Sequence, residues 1–238
     1  MTELSSKIRS PALGNERTVW IRKPATPYPR TPIVVFLDAE LYRDRVGAPE
    51  VIDSLRGTVA DAWYVYVSME SVEARWRECA CHPPFAAFLA DELLPWLRSQ
   101  FRVSETPMTR TLIGLSYTGL AAAFVAKEKP GIFQKIICQS GSFWWNDCSI
   151  VRKYDQASSP VPSEFYLDVG LKETAENVRH REDVLQVVSQ IEGVRSFRDV
   201  LTRKGSTVRY VEFDGGHDAE AWRRALPNAL KWALANGI

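Results

Sequence analysis

The sequence predicts an α/β fold, with one mostly parallel sheet covered on both faces by helices. Continuous apolar, β-branched runs such as Ile33–Leu37 (IVVFL) and Trp63–Val67 (WYVYV) read as strands buried on both sides. Segments with apolar residues at helical spacing lie between such runs, as crossover helices between parallel strands require. With 238 residues, 45% hydrophobic and 25% charged, the chain is long enough to bury a sizeable core, and residues 1–238 are expected to form one domain.

In chain order, residues 1–16 are expected as a flexible arm. Arg17–Lys23 alternates enough for an outer strand, and the proline-rich stretch after it is a surface loop. Ile33–Leu37 ends in Asp38–Ala39–Glu40, Ala48–Val59 reads as a helix, and Trp63–Val67 is the next strand. Pro84–Gln100 has helical spacing that Pro95 should kink or break. Thr111–Ser116, Gln134–Gln139 and Glu164–Val169 are three further strands, and Thr174–Arg203 is expected to be mostly helical with an interruption near Gly193. Val208–Phe213 is the last strand, and Glu220–Ala235 is a closing amphipathic helix.

Composition narrows the functional classes. Thirty basic and 29 acidic residues give a net charge of +1, which offers no footprint for nucleic acid or an anionic membrane. Cys79 and Cys81 are too close for an ordinary bridge and Cys138 sits in an apolar run, so these and Cys148 read as buried thiols in a reducing compartment. No CxxC pair occurs and His82, His180 and His217 are scattered, so no metal site is expected. The N-terminal stretch has no apolar core of a secretory signal and no run approaches a membrane span; a cytoplasmic location is the expectation.

The chemistry centres on Thr111–Trp145. A short buried strand meets Gly114–Leu115–Ser116–Tyr117–Thr118–Gly119, and an Ala-rich helix follows. A serine between small residues at such a turn is the plan of a nucleophile elbow, although a glycine-rich turn alone would read the same way. In open α/β sheets, ligands sit beyond the carboxyl ends of the strands. There Asp214–Gly215–Gly216–His217–Asp218 follows the last strand, and the paired glycines free the loop to aim His217 as a general base. Glu173 lies just past Glu164–Val169, where a carboxylate can fix the histidine tautomer; Asp168, inside that strand, is the rival. The order Ser116, Glu173, His217 is that of α/β-hydrolases, which makes this the expected fold. Backbone N–H groups of Tyr117 and Glu40 are the candidates for an oxyanion hole. No cofactor is needed for this chemistry.

GLSYTGLAAAF, IFQKIICQSGSFWW and GGHDAEAWRRALPNAL together resemble the enterochelin (ferric siderophore) esterases of the esterase D-like α/β-hydrolases. LDAELY resembles that family's oxyanion segment, and Arg75–Phe85 followed by DELLPWL resembles its R-x-x-E-L segment leading to E-L-L-P. The resemblance implies Ser116 as nucleophile, His217 as base and Glu173 as acid. It also implies Arg75 facing the acyl or aryl part of the substrate, and Trp144 and Trp145 in the pocket wall. Three departures stand out: Thr118 for a glycine at the elbow, Ala39 for a glycine in the oxyanion turn, and His82 for a polar residue such as asparagine. The partner implied is a small-molecule ester, a catecholate trilactone carrying iron or free of it. The alternatives are an aryl- or carbohydrate-ester hydrolase of feruloyl or acetyl type, and a non-catalytic hydrolase-fold binding protein.

Overall fold

The computed structural model describes residues 3–103, 105–106 and 109–235. The strands are β1 (Glu3–Ser10), β2 (Asn15–Arg22), β3 (Ile33–Leu37), β4 (Trp63–Val67) and β5 (Arg110–Leu115), then β6 (Lys135–Gln139), β7 (Glu164–Gly170), β8 (Val178–Arg181), β9 (Val184–Gln186) and β10 (Val208–Phe213). Eight of them form one sheet in the order β1-β2-β4-β3-β5-β6-β7-β10. From β4 to β10 the neighbours run parallel, while β1 and β2 form an antiparallel edge. The fold is that of the α/β-hydrolases, as expected from the sequence.

Helices α1 (Ala39–Leu41), α2 (Ala48–Ser54), α3 (Val72–Glu78), α4 (Pro83–Ala87) and α5 (Leu94–Phe101) occupy the first half of the chain. α6 (Tyr117–Glu128), α7 (Trp145–Asp155), α8 (Gln190–Arg203) and α9 (Ala219–Ala233) follow. Successive strand residues point to opposite faces, and each face has its own core. Ile33, Val35 and Leu37 pack in one layer with Phe85, Leu97, Leu120 and Phe197. Val34 and Phe36 pack in the other with Val51, Ile52, Trp222 and Leu226. Burying each such large side chain contributes about 1.5–3 kcal/mol, which explains why these strands carry no polar face.

Four expectations need correction. Residues 1–16 are not a loose arm: β1 pairs with β2 from Glu3↔Arg22 to Ser10↔Asn15, so β2 is not the outermost strand. The polar sequence LSSKIRS hides this strand because only Ile8 and Ser10 are buried, and the Ser10 hydroxyl bonds Glu92. The segment from Thr174 is not mostly helical either. It first forms the β8–β9 hairpin, and the helix begins only at Gln190, capped by the Ser189 hydroxyl. Gly193 does not interrupt α8; it lets the helix approach the Trp144 backbone, whose nitrogen lies 3.1 Å from where a Cβ would stand. The helix expected over Ala48–Val59 ends at Ser54. Pro95 does not break the helix expected there: the chain stays helical from Pro83 to Phe101, and a π-helical segment over Phe88–Leu93 places the proline in the first turn of α5.

Among the described residues no helix is long and apolar enough to cross a membrane. Cys79, Cys81, Cys138 and Cys148 carry free thiols; Cys79 and Cys138 are buried, and the other two are half-buried.

Candidate active site

Ser116 sits between β5 and α6 with φ 51° and ψ −120°, a backbone conformation that L-residues rarely adopt and that costs on the order of 1–3 kcal/mol. Its surroundings hold it there. Ser116 N–H donates to the Gln139 carbonyl at 2.8 Å, and its own carbonyl accepts from Ser142 N–H at 2.9 Å. Gly114 is obligatory, since a Cβ at that position would lie 2.1 Å from the Thr118 carbonyl oxygen. Thr118, the departure at the elbow, ties the turn. Its Oγ1 donates to the Leu115 carbonyl at 2.8 Å and accepts from Leu115 N–H at 2.9 Å.

His217 and Glu173 arrive on the loops after β10 and β7. Those loops are joined directly, with Lys172 N–H donating to the Gly215 carbonyl at 3.0 Å. Gly170 permits the approach, because a Cβ there would stand 2.4 Å from the Gly215 oxygen. The result is a continuous line: Ser116 Oγ to His217 Nε2 at 2.9 Å, and His217 Nδ1 to Glu173 Oε2 at 2.5 Å. The indole of Trp222 in α9 backs the imidazole, with ring centroids 4.8 Å apart and planes at 82°. Glu173 Oε1 accepts from Gly170 N–H at 2.7 Å and from the Ser140 hydroxyl at 2.6 Å.

Asp168 makes no such contact with His217. It is fully buried within β7; one oxygen lies 3.4 Å from Gln139 Nε2 and the other has no hydrogen-bond partner among the described residues. Burial pushes its carboxyl up to about 8. The two carboxylates weighed in the sequence thus occupy different environments, and only Glu173 touches the imidazole.

Tyr117 is the first residue of α6 and Glu40 the second of α1, so neither N–H has a carbonyl acceptor within its own helix. In the turn after β3 the left-handed φ falls on Asp38, at 69°, rather than on Ala39, so an alanine is accommodated there. The Glu40 carboxylate accepts from Met69 N–H at 3.2 Å, and partial desolvation shifts its carboxyl upward.

Ser116 opens into a cleft of about 560 Å³ shared with Glu40, Leu41, Val72, Arg75, Trp76 and Trp222. Arg75 lines this cleft, and its Nε donates to Asp38 Oδ2 at 2.5 Å. Burial works against its charge, and the Asp38 carboxylate more than offsets this, raising its pKa. Trp144 and Trp145 lie elsewhere, in an adjoining groove of about 690 Å³ with Tyr117, Arg77, Arg181 and Leu185; Trp76 lines both spaces. His82 precedes α4 and lines neither.

Sequence reasoning missed Trp76, Trp222, Ser140 and the β8–β9 hairpin. His180 of that hairpin stacks on Trp144 with centroids 4.9 Å apart and planes at 8°, and Arg181 lies over Trp76 at 5.7 Å. The phase of α9 behind the His217 loop could have flagged Trp222. No local signal marks the hairpin.

Residues 10–233 match the Esterase family. The chain belongs to it. The iron(III) enterobactin esterase of Dickeya dadantii is 27% identical over 241 residues, covering 95% of this chain and 53% of that protein. Among solved structures, the enterobactin esterase of Shigella flexneri crystallised in the presence of enterobactin superposes with a TM-score of 0.85 at 24% identity, over 98% of this chain and 58% of that one. A ferulic acid esterase superposes with a TM-score of 0.81 at 17% identity, over 98% of both chains. The chain spans about half the length of the curated enterobactin esterases it matches.

Proposed function

We propose that this chain is a serine esterase acting on carboxylic ester or lactone bonds of an aryl-bearing small molecule, foremost a catecholate trilactone siderophore. The observation that carries the chemistry is the line Ser116–His217–Glu173, with contacts of 2.9 and 2.5 Å. Ser116 Oγ attacks the ester carbonyl carbon while His217 Nε2 takes its proton, and Glu173 stabilises the imidazolium through Nδ1–H. Tyr117 and Glu40 N–H groups hold the oxyanion of the tetrahedral intermediate. Collapse breaks the C–O bond, and His217 returns the proton to the departing alkoxide. Water then attacks the acyl-enzyme, giving its proton to His217, and the carboxylic acid leaves with Ser116 regenerated. Iron, where present, enters as part of the substrate.

Two features support a catecholate substrate. Enterobactin esterases are among the relatives. Trp76 and Trp145, in the groove beside the Ser116 cleft, offer aromatic contact for aryl rings, while Tyr117 and Trp144 lie buried beneath them, Trp144 already stacked on His180. Arg77 and Arg181 lie there too, but Arg77 is already bound to Glu78 at 2.9 Å, so aromatic contact is the larger attraction. A feruloyl-type ester is the second reading, favoured by the match to a ferulic acid esterase over 98% of both chains. Thr118 and Ala39, the features that would argue for a binding-only protein, fit an intact elbow and turn.

The test compares hydrolysis of a catecholate trilactone, with and without iron, against p-nitrophenyl acetate and a feruloyl ester. Efficient trilactone cleavage that disappears in Ser116→Ala is the expected result. Turnover of the feruloyl ester alone would move the substrate to the second reading, and no turnover of any ester would end the esterase reading.

A further inference from the structure

Ser140 follows β6 directly and has φ 46°, left-handed for a residue that is not glycine, with its side chain wholly inside the protein. Such backbone strain persists only where surrounding contacts impose it. Four contacts converge on this residue. Its N–H donates to the Asp168 carbonyl at 2.9 Å, and its carbonyl accepts from Gln190 Nε2 at 2.5 Å. Gln190 is fixed in turn by Trp144 Nε1, which donates to its Oε1 at 2.6 Å. The hydroxyl lies 3.0 Å from Trp222 Nε1 and 2.6 Å from Glu173 Oε1.

An indole N–H can only donate, so Trp222 occupies an acceptor site on the Ser140 oxygen. The hydroxyl proton is left to point at Glu173. Oε1 of that carboxylate thus receives two donors, Ser140 O–H and Gly170 N–H, and Oε2 is left for His217. The same indole that orients Ser140 also backs the imidazole ring. The other titratable groups nearby are Asp168, behind Ser140 in β7, Asp218, next to His217 and capping α9, and the exposed Lys172–Asp214 pair on the two loops.

We propose that Ser140 is a positioning residue for the triad acid, its hydroxyl oriented by Trp222 so that Glu173 presents one oxygen to His217 in a fixed direction. The inference rests on the esterase reading above. It assigns the strained serine a kinetic role.

Removing the hydroxyl leaves the Glu173 charge with one donor fewer. The carboxylate is then a stronger acceptor for the Nδ1–H of the neighbouring imidazolium. Ser140→Ala is expected to lower kcat roughly tenfold, the scale of a lost charge-assisted hydrogen bond, with KM for p-nitrophenyl acetate unchanged. The acidic limb of kcat/KM should move to higher pH. In a Glu173→Gln background the same substitution should add no further loss. Trp222→Phe keeps an aromatic ring on α9 beside His217 while removing the N–H with part of the indole, so it should shift the limb in the same direction by less, and it serves if Ser140→Ala fails to fold. A fall in kcat with an unmoved limb, or a full additive loss in the Glu173→Gln background, would reduce Ser140 to a structural turn and overturn the proposal. Wild-type kinetics in Glu173→Gln alone would overturn the triad reading and this inference with it.

Discussion

The floor of the Ser116 site and the mouth above it are built on different terms. On the floor, the Glu173 side chain is completely buried and three donors converge on its two oxygens. Ser140 directly follows β6, Gly170 ends β7, and His217 stands on the loop after β10, which is tied to the loop after β7, so the sheet anchors their spacing. At the mouth, Val72 is 66% exposed and Leu185 is 42% exposed, and the lining comes from α3 and the β8–β9 hairpin outside the main sheet. A reaction that needs atoms held to a fraction of an ångström is placed on the rigid element, while recognition is placed on parts that can change without disturbing it. Substitutions on the floor should therefore strike kcat, and those at the mouth should strike KM.

The largest effect that would sharpen this contrast is on the floor. Glu173→Gln should lower kcat by roughly 10³–10⁴-fold, because the amide cannot stabilise the imidazolium and favours the wrong tautomer. Asp168→Asn should leave kcat within a few-fold, although the two acids lie five residues apart in sequence. Equal losses from both in steady-state assays would break the distinction between them. At the mouth, Trp76→Ala should raise KM for aryl esters roughly tenfold with a smaller change in kcat, since it removes one ring from both the cleft and the groove. A loss confined to kcat would place Trp76 with the chemistry instead.

Smaller effects concern stability. Thr118→Val keeps the volume but strips the Leu115 N–H of its acceptor, and should cost about 1–2 kcal/mol in urea unfolding. Asp168 carries a pH signature. Its carboxyl titrates near 8 in the folded chain against an ordinary 3.8, so between those values the folded state binds more protons than the unfolded one. Stability from this group therefore falls as pH rises from about 4 to 8. Asp168→Asn, which cannot ionise, should gain up to a few kcal/mol over the parent at the alkaline end and little at the acidic end. A difference that is flat with pH would mean Asp168 is ionised in the fold.

The parallel strands were legible because burial on both faces writes itself as unbroken runs such as IVVFL. Ser116, Glu173 and His217 were legible because each follows a strand that could be recognised, and ligand chemistry gathers at strand ends. Choosing Glu173 over Asp168 was beyond sequence: it depends on which way the chain turns after Gly170, where the loop meets Gly215. β1 was missed because an edge strand with two buried residues has no apolar alternation to see. The β8–β9 hairpin was missed because its residues, RHREDV among them, are mostly exposed and polar, and it is fixed by stacking on Trp144 and Trp76 from distant segments. Ser140 and Trp222 were invisible for the same reason, since their partners are 33 and 82 residues away.

The central claim is that Ser116 is an activated nucleophile, and the most direct measurement is active-site titration with a fluorophosphonate followed by peptide mass spectrometry. One adduct per chain on Ser116, absent in Ser116→Ala and much slower to form in His217→Ala, is the predicted result. An unlabelled Ser116 in the folded protein, or labelling whose rate is indifferent to His217, would contradict it.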